Sequence, residues 1–228
     1  MKILNDVTLV GIDGAGNRPL ITKAMQISKK HILFSDCILL SPNKNYELLN
    51  DIKLIEIPKL TYAQWNRFMI KEMYKYISTK HYLFVDTDGF VINSDLWDDE
   101  FLNYDYIGAS WAHGCHFSPF GGGPHFNYAI EEKIECKNDV GNGGFTLRSK
   151  KLLDIIKYLP YDERPENSSV VEDAYICIKN YDILNYLGIK FAPTLLANKF
   201  SIEHWATPNP IKSFGFHGNK NFINSYPY

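Results

Sequence analysis

Residues 81–93 read HYLFVDTDGFVIN. The run His81–Val85 is short and largely apolar, ends abruptly in acids, and reads as a buried strand. Three further strand-like segments precede it: Val7–Ile12, His31–Asp36 and Lys53–Ile57. Between them lie two helical stretches. Pro19 is placed to open one that runs to about Lys30, since proline is tolerated in a first turn. Thr61 is the expected N-cap of a longer one, Tyr62–Ser78, where Trp65, Phe68, Met69, Met73 and Ile77 recur at helical spacing. Strands alternating with helices predict an α/β fold with a central, mostly parallel sheet flanked by helices. Ligands of such sheets gather beyond the carboxyl ends of the strands, which is where Asp86 and Asp88 fall.

Outward from this centre the second half is less regular. Phe101–Ile107 leads into a long loop, Ala112–Tyr128, carrying GGGP. Val140–Leu147 is glycine-rich and then strand-like. Ser149–Tyr158 and Glu172–Leu187 read as helices separated by a polar loop, and Lys190–Pro193 as a brief strand. No internal repeat or linker splits the chain, so residues 1–228 are expected to form one domain. A hydrophobic share of 45% and a charged share of 22% suit a globular chain. A net charge of −2 without a Lys/Arg-rich run excludes a nucleic-acid footprint. Four cysteines, Cys37, Cys115, Cys136 and Cys177, form no CxxC pair and predict reduced thiols in a cytoplasmic setting. No apolar run has the length of a membrane span, so no integral membrane segment is expected.

Four segments can carry chemistry. In DTDG, the side chains of Asp86 and Asp88 flank Thr87 and point the same way on an extended backbone. Two such carboxylates can share a hard cation, Mg2+ or Mn2+. The plain alternative is an acidic turn. In GNGGF (141–145), glycines permit positive φ or close backbone approach, and Asn142 offers an amide to hydroxyls. The alternative is an ordinary turn between strands. In VVEDAY (170–175), Glu172 and Asp173 stand at a predicted helix start, as capping acids or as a general base. In FGFHG (214–218), His217 is a candidate neutral imidazole ligand, though a lone histidine is more often structural.

In this order the pieces resemble the GT-A class of glycosyltransferases. They are similar above all to a family of bacterial and viral glycosyltransferase-like domains. The resemblance rests on RFMIKEMYKYI, LFVDTDGFVINSDLWDDEFLNYDYIGASW, VGNGGFTLRSKKLL, VEDAYIC, KFSIEH and FGFHG, spread from about residue 60 to 218. It implies a metal-dependent transferase that moves a sugar from a nucleotide-diphosphate sugar, a UDP- or GDP-sugar, to a hydroxyl of a glycan, lipid or protein. It implies a nucleotide-sugar-binding half over 1–100 and an acceptor-side half over 101–228. The metal is expected at Asp88, shared with Asp86 and His217. Relatives often carry a non-acidic residue at the position of Asp86, which makes Asp88 the firmer ligand.

Within the same picture Asp173, beside Glu172, is the expected base of an inverting displacement. The backbone of Gly143–Gly144, with Asn142, borders the sugar. Ile12, Asp13 and Arg18 in the first turn are expected at base and ribose, with Thr87 beside the metal. Arg67 and Lys71, four apart on one helix face, are expected at the diphosphate. Trp111, His113 and the GGGP loop are the expected acceptor wall or lid.

Two other readings stand beside this one. YLFVDTDGFVINS resembles the nucleophile motif of haloacid-dehalogenase-like phosphatases, with Asp86 as nucleophile and Asp88 as acid. That motif belongs in a first strand, and Phe90 stands where a small residue is usual. A non-catalytic sugar- or nucleotide-binding module would keep the same residues without turnover.

Overall fold

The computed structural model describes residues 1–48, 51–111, 137–161, 171–203, 212–218 and 222–225. Its larger sheet has six strands: β1 (Lys2–Ile12), β2 (Ile32–Ser41), β3 (Lys53–Glu56), β4 (His81–Val85), β6 (Tyr106–Ile107) and β7 (Thr146–Ser149). Their spatial order is β3-β2-β1-β4-β7-β6. The pairings among β3, β2, β1 and β4 are parallel, whereas β7 runs antiparallel to both β4 and β6. The fold is thus α/β with a central, mostly parallel sheet, as the alternation predicts. Two apolar layers cover its faces. One holds Phe68, Met69, Tyr82, Phe84, Tyr106 and Tyr175; the other holds Leu9, Leu39, Leu83, Phe101, Leu147 and Phe200. Both faces are buried, which is why HYLFV reads as a largely apolar run with no solvated side.

A second, three-stranded sheet joins β5 (Gly89–Val91), β9 (Gly215–His217) and β8 (Ser201–Glu203) in the order β5-β9-β8. Helix α1 (Leu20–Lys29) packs Ala24 and Ile27 against its Phe90 and Phe216.

Helix α2 begins at Tyr62, and Thr61 caps it in a reciprocal box with Gln64. It stops at Lys71 rather than Ser78: Glu72 leaves helical geometry at φ −122°, and a tight 3-10 turn follows over Met73–Lys75. The continuous helix expected over 172–187 is also interrupted. Glu172–Ala174 widens into a π-helical turn, Tyr175–Lys179, before a second helix, Tyr181–Tyr186. Asn180 causes the break, since both its backbone N–H and its Nδ2 donate to the Tyr175 carbonyl, at 3.1 and 2.9 Å. Two strand expectations shrink as well. The segment around Phe191 is a single bridge to Tyr106. The glycines before Thr146 lie outside β7. Helix α3 (Lys150–Ile156) starts where expected, with the Ser149 hydroxyl accepting from the Leu152 N–H. The described cysteines, Cys37 and Cys177, are free and buried.

Candidate functional site

Strand register decides which segments meet. Gly11 pairs with Val85, so β1 and β4 end side by side and deliver the Asp13 and Asp86 turns to one edge. Strand β7 runs the other way, and Phe84 pairs with Thr146, so the glycines before β7 reach the same edge. In the smaller sheet Gly89 pairs with His217, and His217 with Glu203. Four segments distant in sequence therefore converge.

The acidic turn closes on itself: the Asp86 N–H donates to the Gly89 carbonyl, 2.8 Å, and the Gly89 N–H returns to that of Asp86, 3.1 Å. Asp86 is held by Arg18, whose Nη2 lies 2.5 Å from Oδ1 and whose Nη1 donates to Oδ2 at 3.2 Å. Arg18 also donates to the Thr87 hydroxyl, 2.8 Å. Burial pushes the Asp86 carboxyl up, and the Arg18 charge opposes that shift. With both oxygens engaged by a guanidinium, Asp86 is poorly placed as a nucleophile. Asp88 is differently situated. Its Oδ1 is 3.7 Å from His217 Nε2, too long for a hydrogen bond, and the two side chains keep 14% and 20% exposure. His217 Nδ1 is buried with no partner among the described residues.

The glycines serve close approach, not unusual dihedrals; none of Gly141, Gly143 and Gly144 has positive φ. A Cβ on Gly141 would stand 2.1 Å from the Trp111 ring, on Gly143 2.3 Å from Glu172 Oε1, and on Gly144 1.9 Å from His217 Nε2. Adjacent Cα atoms are about 3.8 Å apart. The Glu172–Asp173 pair and His217 thus flank one dipeptide. Asn142 ties the segment down: its Oδ1 accepts from the Gly144 N–H, 3.1 Å, and its Nδ2 donates to Glu203.

Two carboxyls here titrate far from their ordinary range. Asp173, half-buried, is pushed up to about 8 by burial and then by the neighbouring Glu172 charge. Glu203 is pushed up to about 7 by burial, with the Asn142 amide opposing. Glu203 is the residue that sequence reading misses. Its SIE triplet looks like a tail, and only the pairing with β9 brings it to the site. Burial raises the Tyr62 phenol, and the nearby Glu172 and Asp173 charges raise it further. Tyr62 is nonetheless 52% exposed, with its ring parallel to that of Trp65 within 4°.

Other expected residues stand elsewhere. Asp13 is fully buried and closes its own turn, accepting from Gly16 N, Arg18 N and the Tyr46 hydroxyl. The Ile12 side chain belongs to the core. Lys71 donates to the carbonyls of Ile156, Lys157 and Leu159 behind α3, and Arg67 pairs with Glu72 at 3.4 Å. Trp111 is buried against Gly141, while His113 and the GGGP loop lie outside the described residues.

The sequence pattern described as "Protein of unknown function (DUF5672)" matches residues 52–217. The chain belongs to this family. The match takes in both Asp88 and His217, so the two ends of the site fall within the family's span. No curated protein matches the sequence. Among solved structures, a galactosyltransferase, LgtC, in complex with donor and acceptor sugar analogues is similar at 14% identity and a TM-score of 0.49, covering 92% of this chain and 86% of its own. A197 from STIV is similar at 16% identity and a TM-score of 0.37, covering 77% and 75%. At such identities and scores, the functional reading stands on this chain's own residues. No helix among the described residues is long and apolar enough to cross a membrane.

Proposed function

We propose that this protein is a GT-A-like glycosyltransferase that takes a nucleotide-diphosphate sugar and passes the sugar to an acceptor hydroxyl. The observation that carries this reading is the convergence of Asp88, His217, the Gly143–Gly144 backbone and Asp173 at the carboxyl ends of β1 and β4. Among the described residues no three His, Cys, Asp or Glu side chains gather to hold a metal by themselves. A carboxylate and an imidazole fit a cation that takes the rest of its shell from substrate. Mg2+ and Mn2+ commonly bind through one or two protein groups plus phosphate oxygens. Asp88 and His217 would hold it, with Asp86 behind them fixing the turn through Arg18. When bound, the cation neutralises charge on the departing diphosphate.

The rest of the work falls to side chains and backbone. Gly143 and Gly144 let the sugar lie against the main chain between Asp173 and His217. Asp173 accepts the acceptor hydroxyl proton while the oxygen attacks the anomeric carbon opposite the leaving diphosphate, inverting its configuration. A carboxyl that titrates near 8 is a stronger base than an ordinary one, and its ionised, base-competent fraction grows as pH rises from neutrality through 8. Asn142 and Glu203 offer an amide and a carboxylate to sugar hydroxyls, and the exposed Tyr62 ring offers a face for an acceptor.

Calorimetry tests the donor half directly. UDP or GDP should bind with Mn2+ present and lose most of its affinity with EDTA or in Asp88→Ala. Metal-independent binding of equal strength in wild type and Asp88→Ala would count against the assignment.

A further inference from the structure

Arg148 is fully buried in the middle of the antiparallel part of the sheet. Register sets it beside Tyr82 on β4 and Tyr106 on β6, and both tyrosines are fully buried too. Removing a guanidinium from water is costly, and a well-packed apolar side chain would avoid that cost. The contacts indicate what the charge is used for. Its Nε donates to the Thr146 hydroxyl at 2.9 Å. Its Nη2 donates to Glu172 Oε1 at 2.9 Å and reaches the Gly143 carbonyl at 3.5 Å. The guanidinium lies 5.1 Å over the Tyr106 ring. The Tyr106 hydroxyl in turn donates to the Gly141 carbonyl, 3.0 Å, with that of Asn142 at 3.3 Å. One row of the sheet thus grips the glycine segment and the Glu172–Asp173 pair together.

We propose that Arg148 is a positioning residue, which acts through Glu172 and the Gly143 carbonyl to fix the Asp173 carboxyl against the glycine segment. It rests on the reading of Asp173 as proton acceptor, and it adds a residue that touches neither substrate nor metal. The Glu172 side chain is buried, and its Oε1 is paired with the Arg148 guanidinium. Its charge, in turn, is the largest electrostatic influence on Asp173. The other groups facing Asp173 are Arg148 from β7 and Glu203 from β8, which oppose each other, and Tyr62 on α2, Cys177 on the π-helical turn and Tyr106 on β6, whose own ionisation is suppressed by burial first and by nearby charge second.

The test is a 13C carboxyl NMR titration of the full chain, with the Asp173 signal assigned by its loss in Asp173→Asn. The proteins compared are wild type, Arg148→Lys, Arg148→Gln, Glu172→Gln and the double Arg148→Gln/Glu172→Gln. In Glu172→Gln the Asp173 midpoint should fall by about one pH unit or more, because a like charge is lost and the Arg148 charge remains. In the double variant it should fall less. Arg148→Gln should raise it, and Arg148→Lys should restore part of the wild-type value. Where Arg148→Gln fails to fold, Glu172→Gln and the neutral, hydrogen-bonded double variant decide. A midpoint that stays at the wild-type value in both would overturn the proposal and leave Arg148 as a packing residue. The titration needs no substrate, so it remains decisive if wild type transfers no sugar. Where wild type is active, the acid limb of its pH–rate profile should move with the NMR midpoint across the series. A limb that stays fixed while the midpoint moves would refute Asp173 as the base and spare the role of Arg148.

Discussion

Replacing Gly144 by alanine isolates the role of His217. The added Cβ would lie 1.9 Å from Nε2, 2.1 Å from Cδ2 and 2.7 Å from Cε1 of the imidazole. Reaching an ordinary 3.4 Å contact requires the ring to retreat by about 1.5 Å. Gly144 does not use positive φ, so the alanine backbone itself is unstrained and the effect is steric. Overpacking of this kind costs about 1–3 kcal/mol of stability. Metal–ligand distances tolerate only about 0.2 Å, so a ring displaced that far would not hold the proposed cation. Mn2+ affinity, measured by calorimetry with saturating UDP or GDP, should fall at least about tenfold; loss of even an outer partner of a metal-bound histidine costs about 10–100-fold. His217→Ala should lose a similar amount. The double variant, where the truncated residue 217 leaves room for the new methyl group, should lose no more than His217→Ala alone. Wild-type affinity in Gly144→Ala, or additive losses in the double variant, would refute the reasoning.

The raised carboxyls make stability pH-dependent in a definite direction. Asp173 moves from 3.8 to about 8 and Glu203 from 4.5 to about 7. The stability each contributes is complete below its unfolded-state value and is lost as pH rises through the folded one. Asp173→Asn should therefore gain stability relative to wild type between pH 5 and about 9 in urea unfolding, and a constant difference across that window would refute the burial argument. Arg18→Met strands Asp86 without its partner and should cost about 1–3 kcal/mol in the same assay, with most of the loss recovered by adding Asp86→Asn. Tyr62→Ala should raise the acceptor KM several-fold and leave donor affinity unchanged, as calorimetry and initial rates would read. A weaker donor instead would move that ring to the nucleotide side.

Local patterns make part of this legible in the sequence. Strand ends followed by acids, the Thr61 cap and the glycine-rich approach to β7 are all set by neighbours within a few residues. Residues whose roles depend on register are not. Glu203 becomes part of the site only because β8 pairs with β9, and nothing in SIE signals that pairing. Arg148 is followed by Ser149, Lys150 and Lys151, and nothing in these polar neighbours marks it as facing the centre of a sheet buried on both sides. Lys71 shares helical spacing with Arg67, but the carbonyl end of α3 lies within its reach and draws it away. Spacing along a helix shows which side chains are neighbours; it does not show which element packs against them.

The central claim is most directly tested by nucleotide-sugar turnover. UDP-, GDP- and dTDP-sugars would each be assayed for nucleoside-diphosphate release with Mn2+, Mg2+ or EDTA, in wild type and in Asp88→Ala, with a panel of sugar acceptors. Metal-dependent release from one donor is expected, abolished in Asp88→Ala while that variant's circular dichroism stays that of the wild type. Release that survives EDTA, or full activity in Asp88→Ala, would contradict it.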